Sequence, residues 1–255
     1  TLEITTHRSE AYVDHSRQPV VTFSADLDLD LARRDFTVNA MAVNVADGVL
    51  HDPCNGQSDL EARVLRTPLS AEESFSDDPL RMLRAARFVA GYALEPAAGL
   101  VEAAARLSER LSVVSAERIQ EELRRLLMVD DPRPGLHLLV KMELLERILP
   151  EIASLDESRR NATFDQVPLV SNDPLVRLVT LLIDLEPADV ENRVQALRFS
   201  RREVTTVVDL VRIIKKISSG PPGGSWSVEN VRRLAVDSGA LLGVAVDLAV
   251  ALHRD

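Results

Sequence analysis

Residues 31–43, LARRDFTVNAMAV, place two arginines and an aspartate directly before a run of small and apolar residues. The residues after Phe36 follow the pattern of a buried strand. Arg33, Arg34 and Asp35 then stand at the edge of that strand, where polar groups can face a cleft. Alternatively, the adjacent Arg and Asp form a surface ion pair, a contact that contributes under about 1 kcal/mol. A second group of residues is needed to decide between a cleft and an ordinary surface.

A second charged stretch, DDPLRMLRAARF at residues 77–88, predicts a helix with one basic face. Arg81, Arg84 and Arg87 recur every third residue, so at roughly 100° per residue they share one side of the helix. Asp77 and Asp78 precede the helix, where its dipole favours carboxylates and a cap is wanted. An aspartate and an arginine one turn apart can read the donor and acceptor edge of a nucleobase. A capped helix with a solvated arginine face is the alternative for this stretch alone.

The overall charge limits how such a site can work. The chain of 255 residues has 40 acidic and 30 basic residues, which gives a formal net charge of -10. This balance argues against a protein that coats nucleic acid through a general positive field, so any RNA or nucleotide site must be a local patch. The single cysteine, Cys54, suits a reducing cytoplasm. We expect neither secretion nor a membrane span, since no leader pattern or sufficiently long uninterrupted apolar run is found.

The residue periodicity divides the chain into a strand-rich start and a helical remainder. Strand patterns occur in TLEITT, in QPVVTF and in a hairpin from VNAMAVNV to VLHDP. Helical patterns follow from about residue 56, interrupted by a polar stretch after Pro150 that predicts a linker or loop. We predict an α+β protein in three parts: part of a head with β strands at residues 1–55, a helical neck at 56–150, and a helical body and tail at 151–255.

The order of these motifs resembles a known family. Five motifs follow one another as in class II tRNA nucleotidyltransferases and bacterial poly(A) polymerases. They are RRDFTVNAMA, a hairpin ending in HDP, G-x-x-D-L at residues 56–60, DDPLRMLRAARF and SAERIQEEL. The resemblance implies addition of CMP and AMP to the 3′ end of tRNA, with CTP and ATP as substrates and Mg²⁺ as cofactor. An A-adding enzyme, a poly(A) polymerase and a catalytically inactive RNA-binding relative remain alternatives.

The resemblance also implies roles for individual residues. Arg34, Asp35 and Asn39 match positions that contact the incoming nucleotide, and Asp35 would accept a hydrogen bond from a ribose hydroxyl during catalysis. Asp78 and Arg81 would act as a protein template that pairs with the edge of cytosine or adenine. Arg84 and Arg87 would also line the nucleotide pocket. Asp77 matches the first, acidic position of the motif that contains Asp78 and Arg81. Glu117, Arg118 and Glu121 match a later motif that stabilises the neck helices.

The metal-binding motif of the family has no match before these stretches. The resemblance implies two metal ions held by a D-x-D pair that follows a G-G-x-x-R-D stretch, and no G-G-x-x-R-D stretch followed by such a pair is found in the residues before the first motif. Asp26, Asp28 and Asp30 form D-x-D strings directly before the arginines, and we expect them to be solvated or capping residues. Glu3 is a candidate third carboxylate near the metals, and no complete metal site is expected within this chain. We expect the parent protein to carry the missing ligands upstream of Thr1; a fragment or an inactive relative is the alternative.

The second half of the chain lacks a further metal centre that many relatives carry. In LVTLLIDLEP, residues 178–187, Ile183 stands where a ligand histidine of an HD phosphohydrolase would be. The chain has five histidines, and their positions predict no cluster, so we expect no phosphohydrolase activity. The resemblance implies that this half holds tRNA. The candidates for phosphate contacts are Arg198, Arg201, Arg202, Arg212, Lys215 and Lys216.

Overall fold

The computed structural model describes strands at residues 8–11 and 20–23 and all of residues 26–221 and 226–252. The predicted strand TLEITT and the candidate Glu3 lie outside the described residues. Two strands, β1 (Arg8–Ala11) and β2 (Val20–Phe23), pair antiparallel. Helix α1 (Leu27–Ala32) follows, and the Asp26 carboxylate accepts hydrogen bonds from backbone N–H groups of its first turn. The expected capping role is therefore confirmed for Asp26.

The chain after Phe36 does not continue as the predicted strand. Thr37–Asn39 form a 3₁₀ turn, and only then does the short strand β3 (Ala42–Val43) pair antiparallel with β4 (Leu50–His51). The Thr37 backbone N–H donates to the carbonyl of Arg66 at 2.8 Å, so a long-range bond fixes the turn. Tertiary contacts of this kind outweigh the weak strand preference of the sequence. The predicted hairpin itself is confirmed.

A short parallel pair interrupts the region that the sequence predicts as entirely helical. Helix α2 (Gly56–Glu61) is followed by β5 (Val64–Leu65), which pairs with the distant β6 (Glu95–Pro96). The prediction of helix through residue 65 was therefore wrong. A β carbon on Gly56 would lie 2.0 Å from the carbonyl oxygen of Thr37, so only glycine allows α2 to begin this close to the 3₁₀ turn.

The neck is built around helix α4 (Leu80–Tyr92), which packs against α6 (Ala116–Leu127) and α7 (Arg133–Lys141). Helix α4 has two faces: Met82, Ala85 and Ala86 are fully buried, while the arginines lie on the other side. The remaining neck elements are α3 (Ala71–Asp77), α5 (Leu100–Arg106), a 3₁₀ segment (Ser108–Val113), α8 (Leu145–Ile148) and α9 (Pro150–Ala153).

The polar stretch after Pro150 is helical rather than a linker. Helix α10 (Glu157–Gln166) begins at Asp156, whose carboxylate accepts the Arg159 backbone N–H at 2.9 Å. Phe164 is fully buried, and its ring centre lies 5.2 Å from that of His137. Helix α10 thus has a capped first turn and one buried aromatic side chain, although it has little apolar periodicity.

The body is organised around the long helix α13 (Arg201–Ser219), which contacts four other helices of this half. Buried apolar side chains form one continuous cluster that extends from Phe36 to Ala249, so head, neck and body share a core. The prediction of an α+β protein with a small strand-bearing head is confirmed. The other body helices are α11 (Pro174–Leu182), α12 (Pro187–Ala196), α14 (Val228–Ser238) and α15 (Leu242–Leu252).

One run of the body is apolar enough to cross a membrane by length and composition alone. Val228–Leu252 has a mean hydropathy of 1.8 over its most apolar window. The structure divides this run at a 3₁₀ turn, Gly239–Leu241, and α15 packs against α13. A single run of this kind is weak evidence for a span.

Candidate nucleotide-binding site

The two charged stretches meet through an ion pair between head and neck. The Asp35 carboxylate is 8% exposed, and its Oδ2 accepts hydrogen bonds from Arg84 Nε at 2.8 Å and Nη2 at 2.5 Å. Its Oδ1 accepts the Phe36 backbone N–H at 3.0 Å and the Asn39 side-chain amide at 3.4 Å. Burial acts to lower the pKa of Arg84, but Asp35 and then Glu122 outweigh it, so the pKa lies above its ordinary value. Arg84 of the neck thus holds the Asp35 carboxylate in place before the 3₁₀ turn.

A second carboxylate, Glu122 on α6, completes this network. Glu122 is 4% exposed and accepts Arg84 Nη1 at 3.3 Å and Arg87 Nε at 2.9 Å. The Arg87 guanidinium also lies 4.8 Å from the centre of the Phe88 ring, a cation–π distance. The predicted basic face of α4 is therefore not a solvated surface: it packs between Asp35 of the head and Glu122 of the neck.

Asp78 lies between helices α3 and α4. Its Oδ1 accepts the Leu80 backbone N–H at 3.1 Å, so the predicted cap of α4 is confirmed for this residue. Its Oδ2 accepts Arg118 Nη2 at 2.9 Å, which ties the start of α6 to the start of α4. The neighbouring Asp77 is exposed at the end of α3.

Arg81 reaches from α4 toward the head. Its Nη1 donates to Ser74 Oγ at 2.9 Å, and its Nη2 donates to the backbone carbonyl of Arg33. Burial lowers the pKa of Arg81 below its ordinary value, although Asp78 and Asp35 act in the opposite direction. The structure therefore places Asp78, Arg81, Arg84 and Asp35 in one region at the junction of head and neck.

Other predicted residues lie around this region rather than in it. Arg34 is exposed and pairs with Asp30 at 3.4 Å, and Glu117 is exposed at the start of α6. Glu121 pairs on the surface with Arg125 at 3.0 Å, so the buried acid of this motif is its neighbour Glu122. The helical period of α6 contains the signal that distinguishes the two glutamates, because position 122 falls on the same buried face as Leu123 and Leu126.

Two further residues that support the site were not assigned a role from the sequence. Asp59, of the G-x-x-D-L segment, accepts the Thr37 hydroxyl at 2.7 Å and Arg66 Nε at 3.1 Å. Asp52, of the HDP segment, accepts the backbone N–H groups of Gly56 at 2.6 Å and of the next residue at 2.9 Å. The Asp59 bond holds the 3₁₀ turn that follows Asp35, and the Asp52 bonds hold the first turn of α2.

The described residues do not fit a metal site. Within 26–221 and 226–252, no group of three or more His, Cys, Asp or Glu side chains could hold a metal ion. A Mg²⁺ site normally requires carboxylates arranged around the ion, often together with substrate phosphates.

The six candidate phosphate contacts of the body fall into two groups. Within the described part of the chain, Arg212 pairs with Asp209 at 3.1 Å and Lys215 pairs with Glu186 at 2.9 Å. Lys216 lies 3.7 Å from the Asp237 carboxylate. The other three candidates are exposed around the start of α13 and make no ion pair with any described residue: Arg198, Arg201 and Arg202.

Two family models match the chain on either side of helix α4. The "Poly A polymerase head domain" matches residues 1–66, and the "Probable RNA and SrmB-binding site of polymerase A" matches residues 94–155. The fold and the site thus define a class: proteins with a poly(A) polymerase-type head joined to a helical neck.

Comparison with known proteins defines the family. The CCA-adding enzyme of Staphylococcus aureus strain MRSA252 is 32% identical over 218 residues, which are 85% of this chain and 52% of that enzyme. The CCA-adding enzyme of Bacillus subtilis strain 168 is 42% identical over 151 residues, 58% of this chain and 37% of that enzyme. The crystal structure of the Bacillus stearothermophilus CCA-adding enzyme in complex with CTP superposes with a TM-score of 0.71 at 25% identity, covering 92% of this chain and 57% of that one.

This chain belongs to the family of the CCA-adding enzymes and poly(A) polymerases. It spans about half the length of the curated relatives it matches, 52% and 54% for those from S. aureus and Streptococcus pneumoniae.

Proposed function

We propose that this chain is part of a tRNA nucleotidyltransferase that adds CMP and AMP to the tRNA 3′ end. In this proposal Asp78 and Arg81 read the base of the incoming CTP or ATP. The observation that carries it is the Asp35–Arg84 ion pair, which joins the head to the helix that bears Arg81. The relatives named as CCA-adding enzymes, one of them solved with CTP, support the same activity.

The hydrogen-bond inventory of Asp78 suits the reading of cytosine and adenine. One oxygen already accepts a backbone N–H and the other accepts Arg118, which leaves further lone pairs on both. Cytosine presents its N4 amino group and adenine its N6 amino group, whereas guanine and uracil present carbonyl oxygens at the corresponding positions. A carboxylate therefore accepts from the first two bases and repels the others. Arg81, a donor only, would complete the pair by bonding a ring acceptor.

The contacts of Asp35 suggest how a ribose enters. A carboxylate offers about four lone-pair sites, and Asp35 uses all four, on Arg84, on Phe36 and on Asn39. The Asn39 amide makes the longest of these bonds, at 3.4 Å. A ribose hydroxyl would replace this bond without disturbing the ion pair to Arg84. The Asn39 side-chain amide, released from Asp35, would then donate a hydrogen bond to the oxygen of the same ribose hydroxyl.

The wider proposal follows from the same resemblance. Residues 1–55, 56–150 and 151–255 would form the head part, the neck, and the body with tail, and tRNA would contact the neck and body. Mg²⁺ would serve as the metal, bound by residues other than those described, and the protein would act in the cytoplasm. An A-adding enzyme or a poly(A) polymerase is the second candidate, because the model that matches the head describes a poly(A) polymerase.

One incorporation assay tests the proposal and separates the candidates. The full-length parent protein is incubated with Mg²⁺, labelled CTP or ATP, and tRNAs that end at the discriminator base, at C or at CC. CCA addition predicts CMP incorporation on the first two tRNAs and AMP incorporation on the third. Incorporation of AMP alone would instead identify an A-adding enzyme or a poly(A) polymerase. Incorporation of neither nucleotide, with tRNA still bound, would identify an inactive RNA-binding relative.

A further inference from the structure

A small pocket lies at the far end of helix α13, where it meets α14. Its volume is about 240 Å³, and Lys216, Trp226, Asn230, Arg233 and Asp237 are among its lining residues. This volume is below the range of about 300–1,000 Å³ that suits drug-sized ligands. The pocket therefore fits one flat ring system better than a whole nucleoside triphosphate.

The lining residues combine an aromatic surface with groups that read a base edge. Trp226, the single tryptophan of the sequence, is 43% exposed although it is large and apolar. Asn230, Arg233 and Asp237 follow on one face of α14, at the spacing of successive helical turns. An Asn amide can bond adenine, a carboxylate accepts from the amino group of cytosine, and an indole stacks on any base.

The two cations of the pocket can exchange their present partners for a phosphate. Arg233 pairs with Glu229 at 3.0 Å, and the two side chains are 69% and 80% exposed. Lys216 lies 3.7 Å from Asp237, with side chains 60% and 51% exposed. Exposed ion pairs of this kind contribute little, so replacing one costs little. Bases stacked on an aromatic ring and a cationic groove along the backbone are the two features with which proteins bind single-stranded nucleic acid.

The position of the pocket separates it from the nucleotide-binding site. Helix α13 has 19 residues, which corresponds to about 28 Å at 1.5 Å per residue. Its first turn contacts the neck through the Arg124–Glu203 ion pair, and the pocket lies at its last turn. The exposed Arg198, Arg201 and Arg202 stand at the opposite end of the same helix. An RNA that extends along α13 from its first turn would contact these three arginines first and Trp226 last.

We propose that this pocket binds an unpaired RNA base that stacks on Trp226, with an adjoining phosphate between Lys216 and Arg233. The inference rests on the RNA-binding part of the proposed function and adds a site to it. It concerns a base that is neither the incoming nucleotide nor the reacting 3′ end.

The single tryptophan makes the test direct. A short fluorescein-labelled single-stranded RNA of mixed sequence is titrated with the protein, and its anisotropy gives Kd; unlabelled RNA is used to follow tryptophan emission. We expect RNA to quench the emission of Trp226. Trp226→Ala should raise Kd about ten-fold, and Trp226→Phe should raise it much less because a ring remains. Asn230→Ala should weaken binding, whereas Val236→Ala, a change at an 82% exposed position of the same helix outside the pocket, should not.

The outcomes distinguish this inference from the proposed function. If the wild-type protein binds neither this RNA nor tRNA, the RNA-binding part of the proposed function fails and this site fails with it. If it binds RNA with unchanged tryptophan emission, or if Trp226→Ala binds as tightly as wild type, only the pocket proposal is overturned. If phosphatidylserine vesicles shift the Trp226 emission to shorter wavelength while RNA does not quench it, Trp226 would be assigned to a membrane surface instead. Circular dichroism melting of each variant confirms that it is folded.

Discussion

The Asp78 carboxylate and the Arg118 guanidinium, 40 residues apart in the chain, lie 2.9 Å from each other. This contact joins the first turns of helices α4 and α6 and orients the carboxylate that is proposed to read the base. We therefore propose that Arg118 positions Asp78 rather than contacting the nucleotide itself. A residue with this role should affect which base is chosen more than it affects whether RNA is bound.

Replacing Arg118 tests this positioning role. In Arg118→Met the Asp78 side chain keeps its bond to the Leu80 N–H but loses its other fixed partner, so we expect weaker discrimination of CTP and ATP from GTP and UTP. The measurement is the Kd of each nucleotide by calorimetry, together with the Kd of tRNA. Arg147→Met, which removes a surface pair with Glu109 at 3.2 Å, is the matched control and should leave all five values unchanged. Unaltered selectivity in Arg118→Met would contradict the role.

Two adjacent glutamates on α6 test how much the ion-pair network of Asp35, Arg84, Arg87 and Glu122 contributes to stability. Glu122 is 4% exposed and pairs with three arginines, whereas the Glu121 side chain is 49% exposed and pairs with one. Removing one partner from a buried ion pair leaves uncompensated charge, so Glu122→Gln should lower the free energy of unfolding by about 3 kcal/mol. Glu121→Gln should lower it by under about 1 kcal/mol. Urea denaturation measures both, and equal effects would show that the network does not hold the neck.

Acidification should weaken the contact between neck and body at Glu203. Burial acts to raise the pKa of Glu203, but hydrogen bonds from Ser200 and the charge of Arg124 outweigh it and place the pKa below its ordinary value of 4.5. A lowered folded-state pKa means that this stabilisation is complete above the unfolded pKa and is lost as the pH falls through the folded value. In Glu203→Gln, the loss of stability below pH 4.5 should be smaller than in wild type. Parallel pH profiles of unfolding free energy for the two proteins would contradict this.

Two glycines distinguish a required close approach from ordinary packing. A β carbon on Gly135 would lie 2.5 Å from both the Ala86 carbonyl oxygen and a Leu126 methyl group. Gly135→Ala should therefore force α7 away from α4 and destabilise the protein by about 1–3 kcal/mol. At Gly91, inside α4, the new carbon would meet only a Val129 methyl at 3.4 Å. Gly91→Ala should be neutral or stabilise by up to about 1 kcal/mol, because alanine favours the helix. Thermal melting of both variants gives the comparison.

Part of this structure could be predicted because the controlling signals are local. Helix α4 follows from its apolar period and from the aspartate before Pro79, and helix α13 coincides with a stretch whose helical pattern is visible in the sequence. The order of charged motifs also predicted the family. Capping and periodicity act within one or two turns, so a single sequence contains them.

The features that the sequence did not predict depend on contacts between distant residues. The 3₁₀ turn after Asp35 is held by Asp59 and by the backbone of Arg66, and Glu122 acquires its role only when α6 packs on α4. Helix α10 is polar and is docked by the single buried Phe164. In each case the energy comes from a partner more than 20 residues away, which local periodicity does not reveal.

In the proposed function, Asp78 and Arg81 choose the base. Incorporation of each of the four labelled nucleotides by Asp78→Ala and Arg81→Ala, with tRNA ending at C or at CC and with the tRNA Kd measured in parallel, tests it most directly. Both variants should bind tRNA nearly as well as wild type but incorporate the wrong nucleotides or none. Normal CTP and ATP selection together with a large loss of tRNA affinity would contradict it.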